Sequence, residues 1–386
     1  MPGTTSPLET EWSLLRAACS TAGSQEKLER IRSLLVSPIR WKSLADLAER
    51  HGVLPLLCQA LLSIDPVPPE EMRGLKQRYQ VNLHKALFLS RELIRIVENL
   101  SARGIEVIPY KGLSLAETLY GDIALRQSGD IDLLVRVLDV PRIKQAVQEL
   151  GYTQHSPLSP ALERAYLESG YECAFDGAAG RNLLEVQWAI QPRFYSVDFD
   201  MDGLFQRART VTVVGHTMKT PSNEDLFIVL ALHAAKHVWG RLIWVSDLAR
   251  IIALPTLNWQ WIGEQARKMG IVRVLRVTLI LANRLLETPI PTPAQANLPD
   301  DAAVQPLAEE AESHLTSDSS YDVESIDYFK LMMRLRERRT DRARFLGRLI
   351  LTPGPGEWAA LQLPQSLFPL YPLVRLSRLA ARLVKT

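Results

Sequence analysis

The segment Gly129-Asp-Ile-Asp-Leu-Leu-Val135 sets two carboxylates one residue apart inside an apolar run. In a β-strand alternate side chains share a face, so Asp130 and Asp132 point one way while Ile131 and Leu133 point the other. Acids so placed repel each other unless a cation lies between them. Mg²⁺ suits the pair, because it takes hard oxygen ligands and joins one or two carboxylates to substrate phosphates, and Mn²⁺ accepts the same donors. The plain alternative is a pair of acids on a solvated edge strand. Glu185 lies in a second β-rich run, Asn182-Leu-Leu-Glu-Val-Gln-Trp188. If the two strands are neighbours, Glu185 completes a three-carboxylate metal site and can orient or deprotonate a hydroxyl nucleophile; otherwise it is an outward-facing strand residue. Upstream, Lys111-Gly112 falls at a strand-to-helix turn, where free backbone N–H groups and a lysine can hold phosphate oxygens.

The elements around these groups divide the chain into a helical front, a mixed centre and a helical back. Residues 9 to 62 carry apolar groups at helical spacing (Leu28, Ile31, Leu34, Leu35; Leu44, Leu47, Leu54, Leu57), which predicts short helices. Asp65-Pro-Val-Pro-Pro69 makes a turn, and a long helix follows from about Glu70 to Ser101, stopped at Arg103-Gly104. Ile105 to Tyr110 is then β-rich, Leu113 to Tyr120 reads as a short helix, and Val140 to Leu150 as another. Tyr171 to Phe175 and Asn182 to Trp188 are strands flanking the turn-like Asp176-Gly-Ala-Ala-Gly180, and Thr210 to Thr220 a hairpin. Pro221-Ser-Asn-Glu-Asp225 caps a helix through His237, and further helices run over about 241–253, 259–269, 271–286 and 325–351. The proline-rich stretch Thr288 to Gln305 reads as a linker. The expectation is an α+β protein: a helical region over 1–84, a small mixed-sheet core over 85–220 and a helical domain over 221–386 that forms one wall of a cleft.

Together, Lys111-Gly112, Arg126-Gln-Ser-Gly-Asp-Ile-Asp-Leu-Leu-Val135 and Glu185 resemble the DNA polymerase β-like nucleotidyltransferase superfamily, and within it the bacterial group of uncharacterised nucleotidyltransferase family proteins. The likeness extends to Pro221–Asp225 and to His233-Ala-Ala-Lys-His237 through Trp244-Val-Ser-Asp247, covering about residues 85 to 250. It implies transfer of a nucleoside monophosphate from a nucleoside triphosphate (NTP), with pyrophosphate leaving. Asp130 and Asp132 would hold Mg²⁺ (or Mn²⁺) against the triphosphate, and Glu185 would hold the catalytic metal beside the attacking hydroxyl. Lys111, Gly112, Arg126, Ser128 and Gly129 would meet the nucleotide. Leu113 stands where the superfamily pattern has Gly or Ser, and the gap from Gly112 to Asp130 is longer than usual. The acceptor, whether small molecule, polymer or protein, is open, and the alternative is a nucleotide-binding or interaction module with little turnover.

Other groups bear on partners. His233, Lys236 or Arg241 can reach from the helical back toward phosphate or acceptor; His233 and His237 lack the glutamate of a zincin motif. Asp247 and the tryptophans at 239, 244, 259 and 261 read as structural. The seven arginines from Arg334 to Arg348 are interspersed with Glu337 and Asp341, so a solvated helix face is favoured over an RNA-binding one. Leu367 to Lys385 mixes apolar groups with Arg375, Arg378, Arg382 and Lys385; a helix docked on the body is favoured over peripheral membrane contact. With 45 basic and 43 acidic side chains in 386 residues, bulk charge does not by itself imply a nucleic-acid partner and leaves one open through a local basic patch, and 47% hydrophobic content excludes disorder of the whole chain. Cys19, Cys58 and Cys173 form no disulfide framework, Trp12 to Cys19 is too short and broken by Arg16 to be a signal peptide, and no apolar run spans a bilayer. A cytoplasmic protein is expected.

Overall fold

The acid-bearing runs form adjacent strands of one sheet in the computed structural model, which describes residues 8–62, 64, 67–317 and 325–383. Its five strands are β1 (Val107–Pro109), β2 (Asp130–Val135), β3 (Thr153–Gln154), β4 (Glu172–Asp176) and β5 (Leu183–Gln187), in the spatial order β1-β2-β5-β4-β3. β2 and β5 pair in parallel and the other neighbours are antiparallel. The register sets Asp132 opposite Glu185, Ile131 opposite Leu184 and Leu133 opposite Val186. The period of two therefore gives one sheet face the three acids and the other an apolar stripe. A separate hairpin pairs β6 (Arg209–Val213) with β7 (His216–Thr220).

Helices account for most of the rest. α1 (Glu9–Cys19), α2 (Ser24–Leu34), α3 (Trp41–Arg50) and α4 (Leu54–Leu61) precede the long α5 (Pro69–Ala102). α5 begins with proline at its first position and Glu70 and Glu71 in the first turn, and stops before Gly104 at φ +67°. α6 (Leu113–Leu115) runs into a π-helical turn, Ala116–Tyr120, and α7 (Val140–Glu149), α8 (Pro160–Ser169) and α9 (Met201–Arg207) punctuate the sheet. α10 (Asn223–Lys236) starts where the Ser222 hydroxyl accepts the Asp225 N–H at 3.1 Å. It is followed by α11 (Leu242–Ile252), α12 (Trp259–Met269) and α13 (Val272–Leu286), then α14 (Thr292–Asn297), α15 (Val304–Thr316), α16 (Ile326–Arg334), α17 (Arg339–Leu351), α18 (Pro355–Ala360) and α19 (Tyr371–Leu383). The chain is thus an α+β protein, a mixed sheet with helical regions before and after it.

Two cores hold these layers. Ile131, Leu133, Val135, Phe175, Leu184 and Val186 bury the apolar sheet face with Leu89, Leu93 and Ile96 of α5 and Ile143 and Val147 of α7. On the acid face, Ile108 and Leu134 join a larger core shared by Leu14, Leu47 and Leu57 near the N-terminus and Phe227, Leu248, Leu279 and Phe345 far along the chain. Backbone bonds tie the same regions, from Ile243 N–H to the His51 carbonyl (3.1 Å) and from Thr21 N–H to the Leu286 carbonyl (3.3 Å). Front and back helices therefore flank the same sheet face, and a cleft lies between them above the acids.

Some segments differ from expectation. The stretch read as a linker, Thr288 to Gln305, contains α14 and the start of α15, with Ala294, Leu298 and Val304 buried. Two of its four prolines, Pro291 and Pro293, stand at the α14 entrance, where no N–H is required of them. α8 also lay outside the expected helices; Ser159 caps it, and none of its residues is fully buried, although Tyr166 and Leu167 pack against the core. The expected helix over 325–351 is broken after Leu335, and Arg336 turns inward at 4% exposure to donate to the Tyr195 carbonyl. Asp65 and Pro66 of the expected turn lie outside the described residues, as do Lys385 and the Arg382 side chain.

Candidate active site

Parallel pairing of β2 with β5 brings one oxygen each of Asp130, Asp132 and Glu185 within 4.8 Å of one another. Asp132 is 3% exposed, and the other two are half-buried. The Lys111 ammonium sits 2.7 Å from Asp132 Oδ1. Gln187, two residues after Glu185 on the same face, donates through Nε2 to Glu185 (2.8 Å), Glu172 (3.3 Å) and Asp132 (3.4 Å). Its Oε1 accepts the Tyr110 hydroxyl, which fixes the amide so that its donors face the acids. Tyr110, Glu172 and Gln187 were not singled out in the sequence; the alternation that exposed Asp130 and Asp132 also marks Gln187 beside Glu185.

Burial, then the Asp132 charge, pushes Glu185 up to about 8. The same causes in the same order raise Asp130. For Lys111, burial alone would lower the ammonium, but Asp132, Tyr110 and Glu185 outweigh it and hold the group well above the ordinary lysine value. Desolvated carboxylates that cling to protons are short of positive charge. Three hard oxygens converging on one point, with no thiol or imidazole among them, fit a divalent cation of the Mg²⁺ or Mn²⁺ kind.

Beside the acids lies the Lys111-Gly112 turn. Gly112 adopts φ +58°, ψ −121°, a conformation essentially reserved for glycine, and a Cβ there would stand 3.4 Å from the Asp130 carbonyl oxygen and 3.6 Å from Ser128 Oγ. The turn is thereby laid against the Ser128-Gly129 entrance to β2. Arg126 is 6% exposed and gives Nε and Nη2 to Asp247 at 3.0 and 2.8 Å, with Nη1 on Ser128 at 3.3 Å. Tyr120 also donates to Asp247, at 2.7 Å. Asp247 therefore fastens the Arg126–Gly129 entrance to α11, the structural role read for it, and Arg126 borders the cleft with its guanidinium already paired.

α10 and α11 form the opposite wall. The chain reverses after His237 because Val238 and Trp239 take φ +52° and +48°, an unusual backbone for bulky residues, and this brings Trp244 against the two histidines. Ring centroids are 5.0 Å apart for His233–His237, 5.2 Å for His233–Trp244 and 5.3 Å for His237–Trp244. Burial, then Lys236, lowers His237 to about 3, and burial, then Lys111, holds His233 well below the usual imidazole range. Both rings are neutral near pH 7 and no third ligand joins them among the described residues. Lys236 lies 3.4 Å from the Tyr171 hydroxyl, and the exposed Arg241 stands 5.7 Å over Trp244. Trp244, read as a core residue, is half-buried in the cleft wall, whereas Trp239 is buried at 1% exposure.

The cleft measures about 730 Å³, and every residue nominated from the sequence for metal, nucleotide or acceptor borders it. On the N-terminal side Arg50 and Lys85 add cations to its rim. The clustered arginines lie elsewhere and engage protein groups: Arg334 pairs with Glu310, Arg348 with Asp198, and Arg342 donates to a backbone carbonyl. In the tail, Arg375 and Arg378 share Glu357, and no described helix is long and apolar enough to cross a membrane.

With this sheet, triad and turn in place, the chain is assigned to a family: it belongs to the uncharacterised nucleotidyltransferases, whose family model matches residues 37–287. That span contains both walls of the cleft. No curated protein and no solved structure gives a significant match.

Proposed function

We propose that the protein is a divalent-metal-dependent nucleotidyltransferase that moves a nucleoside monophosphate from an NTP to an acceptor hydroxyl, releasing pyrophosphate. One observation carries the reading: the Asp130–Asp132–Glu185 cluster lies beside the Lys111-Gly112 turn in a cleft of nucleotide size. A bound Mg²⁺ or Mn²⁺ would neutralise the phosphate oxygens and stabilise charge developing on them. Asp130 and Asp132 would hold it against the triphosphate, while Gly112 gives the phosphates access to backbone N–H groups and Lys111 exchanges Asp132 for a phosphate oxygen. Glu185 would orient the acceptor hydroxyl and take its proton as the oxygen–phosphorus bond forms and the bond to pyrophosphate breaks. Ser128 and Gly129 border the phosphates, Arg126 sets their position through Asp247, and His233, Lys236 and Arg241 face the nucleotide or acceptor from the far wall. A cytoplasmic location goes with this chemistry and with thiols left free at Cys19, Cys58 and Cys173.

Pyrophosphate release from a mixture of the four NTPs, supplied with Mg²⁺ and a cell-extract metabolite fraction, tests the activity. The wild type should release it and an Asp130→Asn, Asp132→Asn double variant should not. A second reading, a nucleotide-binding module with little turnover, is favoured by the Lys111 ammonium already seated on Asp132. Under it, NTP binds but no pyrophosphate appears with any acceptor.

A further inference from the structure

A second cavity adjoins the cleft at Tyr171. Tyr171 borders both the cleft and a groove of about 320 Å³. Lys236 meets the Tyr171 hydroxyl from within the catalytic cleft. The groove is walled by Tyr166, Tyr171, Phe194, Tyr195, Phe329 and Leu349, with Thr352 to Gly354 along its rim. Its charged groups bond to one another: Glu357 holds Arg375 at 3.1 Å and Arg378 at 2.8 Å and accepts the Gly354 N–H at 2.9 Å, which leaves one positive charge in excess. A cationic ligand would meet that excess charge, and both arginines are already engaged, whereas the aromatic walls that make up most of the lining suit an apolar body.

The position of the groove fits one role. On the proposed reading, phosphates occupy the Lys111-Gly112 and Ser128-Gly129 side, next to β1 and the start of β2. Glu185 lies on the neighbouring strand β5; β4 follows it in the sheet with Glu172 opposite Gln187, and Tyr171 directly precedes Glu172 in the chain. An attacking hydroxyl must approach on the side away from the triphosphate, so its carrier extends past Glu172 toward Tyr171. We propose that this groove is the acceptor subsite, and that the acceptor is a small molecule with an uncharged aromatic or aliphatic body bearing the hydroxyl that is nucleotidylated. The inference rests on the nucleotidyltransferase reading for its chemistry but makes a binding claim of its own. In the reaction the acceptor oxygen bonds to the α-phosphorus, pyrophosphate leaves, and the hydroxyl proton passes to Glu185.

Gly354 offers a direct test, because it has an ordinary negative φ (−135°) and a Cβ there meets only Glu357 Oε2, at 3.8 Å. Gly354→Leu should fill the groove without straining the backbone, and Leu379→Trp should fill it from α19. Binding of 2-naphthylmethanol to the full chain is measured by saturation-transfer NMR, with sorbitol as the polar probe, and Mg²⁺–NTP binding is followed in parallel. Naphthylmethanol should bind the wild type and sorbitol should not. Each blocking variant should weaken naphthylmethanol at least tenfold while binding Mg²⁺–NTP normally. With NTP present, naphthylmethanol should raise pyrophosphate release by the wild type alone. Equal naphthylmethanol binding in the wild type and a folded blocking variant, or preference for sorbitol, overturns the proposal. Groove binding that stands while no NTP binds would instead sink the nucleotidyltransferase reading and, with it, the acceptor role.

Discussion

Mn²⁺ binding to the wild-type protein should tighten about tenfold for each pH unit between pH 6 and 8, then level off. The magnitude follows from Glu185, which burial and Asp132 push from an ordinary 4.5 to about 8. A cation entering the triad must displace that proton, and one pH unit below 8 costs about 1.4 kcal/mol of binding free energy. Affinity at pH 6 should thus be about a hundredfold weaker than on the plateau, and more so at lower pH as Asp130, also raised, takes up its proton. The sign for stability runs opposite to that of a salt-bridged acid. A carboxyl raised on folding contributes stability that is fully present below about 4.5 and lost as pH climbs through about 8, so the metal-free protein should melt lower at pH 8 than at pH 5.5. Titration calorimetry in two buffers of different ionisation enthalpy counts the protons: close to one should leave per Mn²⁺ at pH 7, and Glu185→Gln should release none from this position. An affinity that is the same within twofold at pH 6 and pH 8, with no proton released, would refute the reasoning.

Three further outcomes follow from individual contacts. Asp247→Ala strips the buried Arg126 guanidinium of its partner and should cost about 3–5 kcal/mol in urea unfolding; a loss below about 1 kcal/mol would show that water reaches the arginine. Gly112→Ala forces a side chain into φ +58° and should cost about 1–3 kcal/mol while weakening Mg²⁺–NTP binding, and unchanged values for both would remove the turn from the phosphate site. Gln187→Leu deprives three carboxylates of their shared amide and should weaken Mn²⁺ binding about tenfold with little change in secondary structure by circular dichroism. Normal Mn²⁺ affinity in that variant would mean that the acids are held by their backbones alone.

The acids were legible because a strand's period of two is short-range: Asp130 and Asp132 between apolar neighbours announce their shared face. Long-range pairing was not legible, since nothing local says that β5 lies parallel to β2 with Glu185 level with Asp132. That pairing brings in the groups the sequence left unremarked, Gln187 and Glu172, and Tyr110 through Gln187. Trp244 illustrates the limit of hydropathy: an apolar ring on a largely buried helix reads as core, and only the reversal at Val238–Trp239 turns it into the cleft beside His233 and His237. Arg126 was nominated from the sequence and borders the cleft, but its partner Asp247 lies on a helix far along the chain, so its guanidinium could not be seen to be engaged. α14 and α15 were hidden because prolines were read as breakers when two of them stand at a helix entrance.

The central claim, a metal-dependent nucleotide site on β2 and β5, is tested most directly by equilibrium binding of ATP, GTP, CTP and UTP with and without Mg²⁺, comparing the wild type with the Asp130→Asn, Asp132→Asn variant. The account predicts that at least one triphosphate binds the wild type only when Mg²⁺ is present and that the folded double variant loses this binding. Binding of no triphosphate by the well-folded wild type, or equal Mg²⁺-dependent binding by both proteins, would contradict it.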